Sequence, residues 1–255
     1  MELNFHKLQG TGNDFVLLDF ISEAKALSSE QIQFLCDRHF GVGSDGLLVL
    51  TNTDQSHLNF HLTFYNPDGS ESFCGNGSRA AAKYYCLFYN TNFCSFSAFD
   101  GEHQAFAEDD NIKLEMRIGG SIDHNQYGRF INTGAPHVCV ETAELSVLEI
   151  NEKAKAIRWD KQFMPVGVNV NFYEKSSDNR VNMRTFEKGV EGETLSCGTG
   201  VTAVAISFFD AHPEQTSVQV STKGGLLTVE KDADQANKYW LTGPAHYIFK
   251  GSLSL

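Results

Sequence analysis

The chain has 255 residues, 41% hydrophobic and 20% charged, the balance of a soluble globular protein of one large domain or two ordinary ones. Its formal net charge of −12, with no run of Lys or Arg, would repel a phosphate backbone, so no nucleic-acid partner is expected. The opening Met1-Glu2-Leu3-Asn4-Phe5-His6-Lys7 lacks a basic segment followed by an apolar one, and no apolar run is long enough to span a bilayer. No signal peptide and no membrane contact are expected, and the location expected is cytoplasmic.

In chain order, Phe15 to Phe20 reads as a strand after a Gly-rich turn. Ser29 to His39 reads as a helix with Ser29 as N-cap and Ile32, Leu35 and Cys36 on one face. Gly46 to Thr51 and Leu58 to Tyr65 read as strands, the second ended by the turn Asn66-Pro67-Asp68-Gly69. Phe99 to Phe106 and Ile112 to Ile118 read as a strand pair. Gly119-Gly120 opens a polar stretch, and a domain boundary is expected there. Beyond it Phe130 to Asn132, His137 to Val140, Val168 to Glu174, Arg180 to Phe186, Ser217 to Ser221, Leu226 to Lys231 and Tyr239 to Leu241 are strand candidates. Arg184 reads as no more than a strand-surface charge.

Six cysteines are present, none in a Cys-x-x-Cys pair, so neither a zinc site nor a redox pair is expected. Cys36, Cys86, Cys94 and Cys139 read as small buried apolar residues. Cys74 and Cys197 stand in a different context. Cys74-Gly75-Asn76-Gly77 and Cys197-Gly198-Thr199-Gly200 each open a small, Ala-bearing helical run, and each follows a turn containing Glu. The two copies sit at similar points in the two halves, a weak internal repeat that suggests two related domains.

A helix start carries unpaired N–H groups and the positive end of the macrodipole, which stabilise a thiolate and can hold a carboxylate. Two such cysteines facing one carbon would form a two-base pair. A thiolate would remove an α-proton while a thiol returned one on the opposite face. Packing at Gly-rich turns is the other reading of both cysteines. A module that merely binds an anion through its amides would need the glycines and not the thiols.

These segments resemble diaminopimelate epimerase, nearly end to end. The motifs are His6-Lys7-Leu8-Gln9-Gly10-Thr11-Gly12-Asn13-Asp14-Phe15, Arg38-His39-Phe40-Gly41-Val42-Gly43-Ser44-Asp45-Gly46, and Phe64 to Glu71 running into Cys74-Gly75-Asn76-Gly77. Gly134-Ala135-Pro136-His137, Val168-Asn169 and Arg184 to Gly189, running through Glu193-Thr194 to Cys197-Gly198-Thr199-Gly200, complete the set. The resemblance implies an α+β (mixed α/β) fold of two pseudo-symmetric domains. Each is a curved sheet or barrel around a central helix, with the active site in the cleft between them. The domains would be 1–118, completed by a C-terminal strand in 245–255, and 119–244.

The implied activity is epimerisation of LL-2,6-diaminopimelate to meso-diaminopimelate without pyridoxal phosphate or metal, in lysine and peptidoglycan precursor synthesis, by a homodimer. By position Cys74 and Cys197 are the catalytic pair and His137 and Glu187 the accessory pair. Gly75, Asn76, Gly198 and Thr199 bind the reacting carboxylate, while Asn13, Asn66, Asn169 and Lys188 contact the substrate. Two thiols flanking one carbon should also form an inactivating disulfide. Ala135 and Lys188 stand where the family commonly has Asn and Arg, and both changes touch the distal half of the substrate. A cofactor-independent racemase of the same fold acting on another amino acid is the alternative.

Overall fold

The computed structural model describes residues 2–23 and 25–254. The first part of the chain forms β1 (Glu2–Gly10), β2 (Asn13–Phe20), α1 (Ser29–Cys36), β3 (Gly46–Thr51), β4 (Phe60–Tyr65), β5 (Glu71–Ser72), α2 (Gly75–Phe88), β6 (Phe93–Ala98), β7 (Gly101–Glu108) and β8 (Asn111–Arg117). There follow β9 (Asp123–His124), β10 (Arg129–Asn132), β11 (Pro136–Glu141), α3 (Ile150–Arg158), β12 (Asn169–Ser177), β13 (Arg180–Glu187) and β14 (Gly192–Thr194). The last elements are α4 (Gly198–Ala211), β15 (Ser217–Thr222), β16 (Gly225–Lys231), β17 (Lys238–Pro244) and β18 (His246–Ser254). Two compact units result, one of Met1–Leu114 with Gly243–Leu255, the other of Glu115–Thr242.

In the first unit β1 lies between β18 and β2, antiparallel to both. The sheet continues through β3, parallel to β2, and β4, antiparallel to β3. β4 pairs with the short β5 and, in parallel, with β6, after which β7 and β8 follow antiparallel. Helix α2 packs along this sheet, touching β1, β2, β3, β4, β6, β7 and β18. Its first turns carry Gly, Ser and Ala, which let the strands approach; residues 75–82 are all buried. A Cβ on Gly77 would stand 2.9 Å from Leu48 Cδ2. Helix α1 covers a second apolar layer made by Leu3, Phe5, Val16, Leu18, Leu47 and Val49 with Ile32 and Leu35.

The cap of α1 is Ser28 and not Ser29. Ser28 Oγ accepts from Gln31 N–H (3.3 Å), and Gln31 Oε1 accepts from Ser28 N–H (2.9 Å), a reciprocal capping box. The helix ends at Cys36, short of the expected His39, because Asp37 folds a turn of its own. Its carboxylate accepts the N–H groups of His39 (2.7 Å) and Phe40 (2.8 Å), which competes with helical bonding. Gly43, at φ +80°, and Ser44 then donate to the last helix carbonyls, Leu35 and Cys36.

The second unit repeats the same connectivity. β10 and β11 are antiparallel, β12 is parallel to β11, and β13 is antiparallel to β12. β13 pairs with the short β14 and, in parallel, with β15, and β16 and β17 follow antiparallel. Helix α4 packs on β10, β11, β12, β13, β15 and β16. Helix α3 covers the other face, closing a core of Val138, Leu148, Ile157, Val170, Phe172 and Phe186. From β1 to β8 and from β10 to β17 the elements correspond one for one, so the weak sequence repeat is a complete structural one. The fold is mixed α/β, each unit a sheet with one buried helix along it.

Candidate active site

Both singled-out cysteines are N-cap residues of the buried helices. Cys74 precedes α2 with φ −132° and ψ 108°; Cys197 precedes α4 with φ −123° and ψ 113°. A helix gives the N–H groups of its first turn no acceptor of its own. Cys74 Sγ takes up one of them, accepting from Gly77 N–H at 3.3 Å. Cys197 Sγ lies 3.3 Å from the Thr199 hydroxyl. Gly200 keeps this second turn tight, since a Cβ there would stand 2.6 Å from Asn171 Oδ1. None of the six cysteines is in a disulfide.

In the first unit Asn13 and Asn76 join Cys74. Asn76 Nδ2 donates to Asn13 Oδ1 (3.3 Å), and Cys74 Sγ approaches the same oxygen at 3.9 Å. Asn13 Nδ2 in turn donates to Asp45 Oδ2 (2.8 Å). Asp45 and Asp14 share Arg38, each at 2.6 Å, and Lys7 pairs with Asp14. Burial pushes the Asp14 carboxyl up, but its bonds from Arg38 and Lys7 outweigh that and hold it below the usual carboxylate range. The first two motifs therefore form one charged cluster behind Asn13. Asn66 stands apart: its amide donates to Ser70 O (3.2 Å), Ser70 Oγ (3.1 Å) and Ser72 Oγ (3.2 Å) within its own turn.

In the second unit His137 bonds Thr199 at the start of α4, while Asn169, Glu187 and Lys188 bond on or beside β12, β13 and β14. Parallel pairing of β11 with β12 sets His137 opposite Asn169 and Cys139 opposite Asn171. His137 is fully buried and bridges Thr199 Oγ1 through Nε2 (2.9 Å) and Asn171 Nδ2 through Nδ1 (3.0 Å). Burial, with a smaller contribution from Lys188, pulls its pKa down to about 3. Thr133 Oγ1 donates to Thr199 O (2.8 Å), fixing that residue from its other side. Glu187, opposite Gly192 at the end of β13, accepts from the Thr194 hydroxyl.

Asn169 Oδ1 accepts the Lys188 N–H at 2.8 Å. Lys188 Nζ donates to Val166 O (3.2 Å) and, among the described residues, joins no carboxylate. Its ammonium pKa is lowered by burial and then by Arg158, against the pull of Glu191. Two open clefts of about 250 and 460 Å3 lie elsewhere in this unit, around Ser146 and Arg184. Arg184 there is committed to Glu193 (2.7 and 2.8 Å) and to Leu145 O and Leu148 O, four of its five N–H donors. Among the described residues no three His, Cys, Asp or Glu side chains are placed to hold a metal ion.

Sequence reasoning missed Arg79, Thr11, Asn171 and Thr185. Arg79 is wholly buried and bonds Thr11, while Thr185 holds Asn171, which in turn bonds His137. Thr11 and Thr185 lie inside the motifs at 6–15 and 184–189 but were given no role there, because each acts through a neighbour.

The diaminopimelate epimerase family profile matches residues 5–119 and 129–248. The chain belongs to the diaminopimelate epimerase family. The diaminopimelate epimerase of Flavobacterium psychrophilum is 37% identical, covering 98% of this chain and 100% of that one. The Aquifex aeolicus enzyme of the same name is 35% identical over 99% and 98%. The family resemblance read from the motifs is thereby borne out. Among solved structures the fold matches a hydroxyproline epimerase from Agrobacterium vitis (TM-score 0.74, 15% identity, 100% and 93% covered). It also matches a phenazine biosynthesis protein of the PhzF family from Bacillus anthracis (TM-score 0.73, 13% identity, 100% of both chains). At such identities the likeness is one of fold.

Proposed function

We propose that this member of the diaminopimelate epimerase family interconverts LL- and meso-diaminopimelate by a cofactor-free two-base reaction. The observation that carries the mechanism is the matched pair of N-cap cysteines on two topologically equivalent helices. In one direction the Cys74 thiolate takes the α-hydrogen as a proton, forming an S–H bond. The electron pair left on the α-carbon spreads into the adjacent carboxylate. The Cys197 thiol gives its proton to the opposite face and becomes the thiolate, so the configuration inverts and the charge is conserved. The reverse reaction exchanges the two roles.

The first-turn amides of Gly75, Asn76, Gly198 and Thr199 suit the reacting carboxylate, which gains negative charge as the carbanion develops. Neutral His137 and Glu187 serve as the accessory pair. Asn13, Asn66 and Asn169 contact the substrate, and Lys188, with no carboxylate on it among the described residues, takes the distal carboxylate. The reading includes a homodimer and a cytoplasmic location, where the six free cysteines remain thiols.

Proton NMR of LL-diaminopimelate in D2O with reduced protein and no added cofactor tests this. Loss of the α-proton signal with appearance of the meso form is expected; no exchange on either isomer overturns the reading. The second reading, a racemase of this fold for another amino acid, is favoured only by Ala135 and Lys188. A Lys ammonium cannot reproduce the two parallel bonds of an Arg fork. Exchange on another amino acid with little on diaminopimelate would support it.

A further inference from the structure

Arg79 lies in the second turn of α2 and has no exposed surface. Buried charges are ordinarily paired, because leaving water costs a lone ion several kcal/mol. Among the described residues no carboxylate reaches Arg79. Its bonds go to neutral acceptors: Asn76 Oδ1 (3.0 Å), Thr11 Oγ1 (3.3 Å) and, at 3.5 Å, Gly75 O. Its Nε has no partner. Burial pulls the guanidinium down to about 10, and the group that opposes this is Cys74.

The structural repeat supplies an internal control. Five residues beyond each cysteine stand Arg79 and Thr202. Each bonds back to the first carbonyl of its helix, Gly75 O or Gly198 O, the latter at 3.1 Å. One unit has a cation at this place and the other a neutral hydroxyl. At the sulfurs the contrast runs the same way: Cys74 accepts a helix N–H, whereas Cys197 faces a Thr hydroxyl.

We propose that Arg79 is a positioning residue whose uncompensated buried charge makes Cys74, and not Cys197, the resting thiolate. This rests on the reading of the two cysteines as an acid–base pair. Other ionisable groups on the elements packed against α2 are engaged elsewhere. His103 on β7 pairs with Asp100 (2.9 Å), and Asp14 on β2 pairs with Lys7 and Arg38. His61 on β4 bonds Ser97 (2.8 Å). His6 on β1, Tyr247 on β18 and Asp19 on β2 meet Tyr84 near the far end of the helix, and Lys250 stands opposite His6. Asp45 comes nearest, through Asn13, and with the Asn13 oxygen it favours the neutral thiol. Arg38 binds Asp45 at 2.6 Å and offsets that charge.

The test is the pH dependence of iodoacetamide alkylation at each cysteine, read by peptide mass spectrometry on reduced, substrate-free protein. In wild type Cys74 should titrate about one pH unit or more below Cys197, a tenfold preference for the thiolate. Arg79→Gln should raise the Cys74 midpoint by a similar amount and leave Cys197 unmoved. Arg79→Lys, which keeps the charge, should retain part of the shift. A lower midpoint at Cys197 in wild type overturns the proposal, and so does an unchanged Cys74 midpoint in folded Arg79→Gln. If Arg79→Gln does not fold, the wild-type order and Arg79→Lys decide. Because this assay needs no substrate, it fails or succeeds independently of epimerisation of diaminopimelate.

Discussion

Asn171 donates through Nδ2 to His137 Nδ1 across 3.0 Å, and this bond decides where the imidazole carries its hydrogen. The Asn171 carbonyl is taken by the Thr185 hydroxyl, which fixes the amide's orientation. Nδ1 is thus an acceptor, Nε2–H donates to Thr199 Oγ1, and the Thr199 hydroxyl shares a 3.3 Å contact with Cys197 Sγ in which either can donate. A nitrogen-15 spectrum should place the His137 proton on Nε2, with no imidazolium signal at pH 5.

The same burial makes stability depend on pH. The His137 pKa is about 3 in the fold and near 6.5 once unfolded, so between these values the unfolded chain binds the extra proton. Stability contributed by the neutral ring is whole above about pH 6.5 and falls with acid, by about 1.4 kcal/mol per pH unit in mid-window. Denaturant melts from pH 7 to pH 4 should show the fall, and His137→Gln should flatten it.

In the proposed reaction, replacing either N-cap cysteine removes one proton carrier. Cys74→Ser and Cys197→Ser should each lower kcat by about 10²–10⁴, with the fold intact by circular dichroism. A serine hydroxyl accepts the Gly77 N–H as well as sulfur does, so loss of helix α2 in Cys74→Ser would point to packing and not to chemistry.

Lys188 offers a separation of binding from chemistry. Its removal leaves the cysteines, His137 and Glu187 untouched in composition. Lys188→Ala should raise KM for diaminopimelate by about 10–100-fold, the worth of a hydrogen bond to a charged group, with kcat changed much less. Equal loss in both would place Lys188 with the reacting end of the substrate.

Ser28 lies at the start of α1, and no bond ties its side chain to either cysteine. Ser28→Ala removes the arm in which Ser28 Oγ accepts the Gln31 N–H, leaves the backbone arm, and should cost about 1 kcal/mol of stability while kcat stays at the wild-type value. Urea midpoints with parallel assays check this.

The strands of the second unit other than the short β9 and β14 were legible in the sequence, as were β2, β3 and the turn at Asn66, and β4 from its alternation. β1, β6 and α3 were not. β1 alternates Leu3, Phe5 and Leu8 with His6 and Lys7, too mixed a pattern to stand out, and its place between β18 and β2 comes from far down the chain. α3, Ile-Asn-Glu-Lys-Ala-Lys-Ala-Ile-Arg, presents only Ile150, Ala154 and Ile157 to the core. Both cysteines could be read because the Gly-x-Gly that follows them is a local constraint. Arg184 was read as a surface charge, yet it is buried enough to hold Glu193 with two bonds, a pairing set by β13 lying against β14. Arg79 gave no signal, since one arginine in a helical run looks like solvated surface until its burial is known.

The pairing of β1 with β18, from Glu2 opposite Ser254 to Gln9 opposite His246, sets an order of events at the ribosome. β1 is translated long before its outer partner β18, which emerges only after Glu115–Thr242 has been made. At ordinary synthesis rates of about 5–20 residues per second, the wait from β1 to β18 is roughly 10–50 seconds. During it β1 stands as an open edge, able to pair with a neighbouring nascent chain. The second unit carries every strand it needs within one continuous stretch and is free to fold while the first is still waiting.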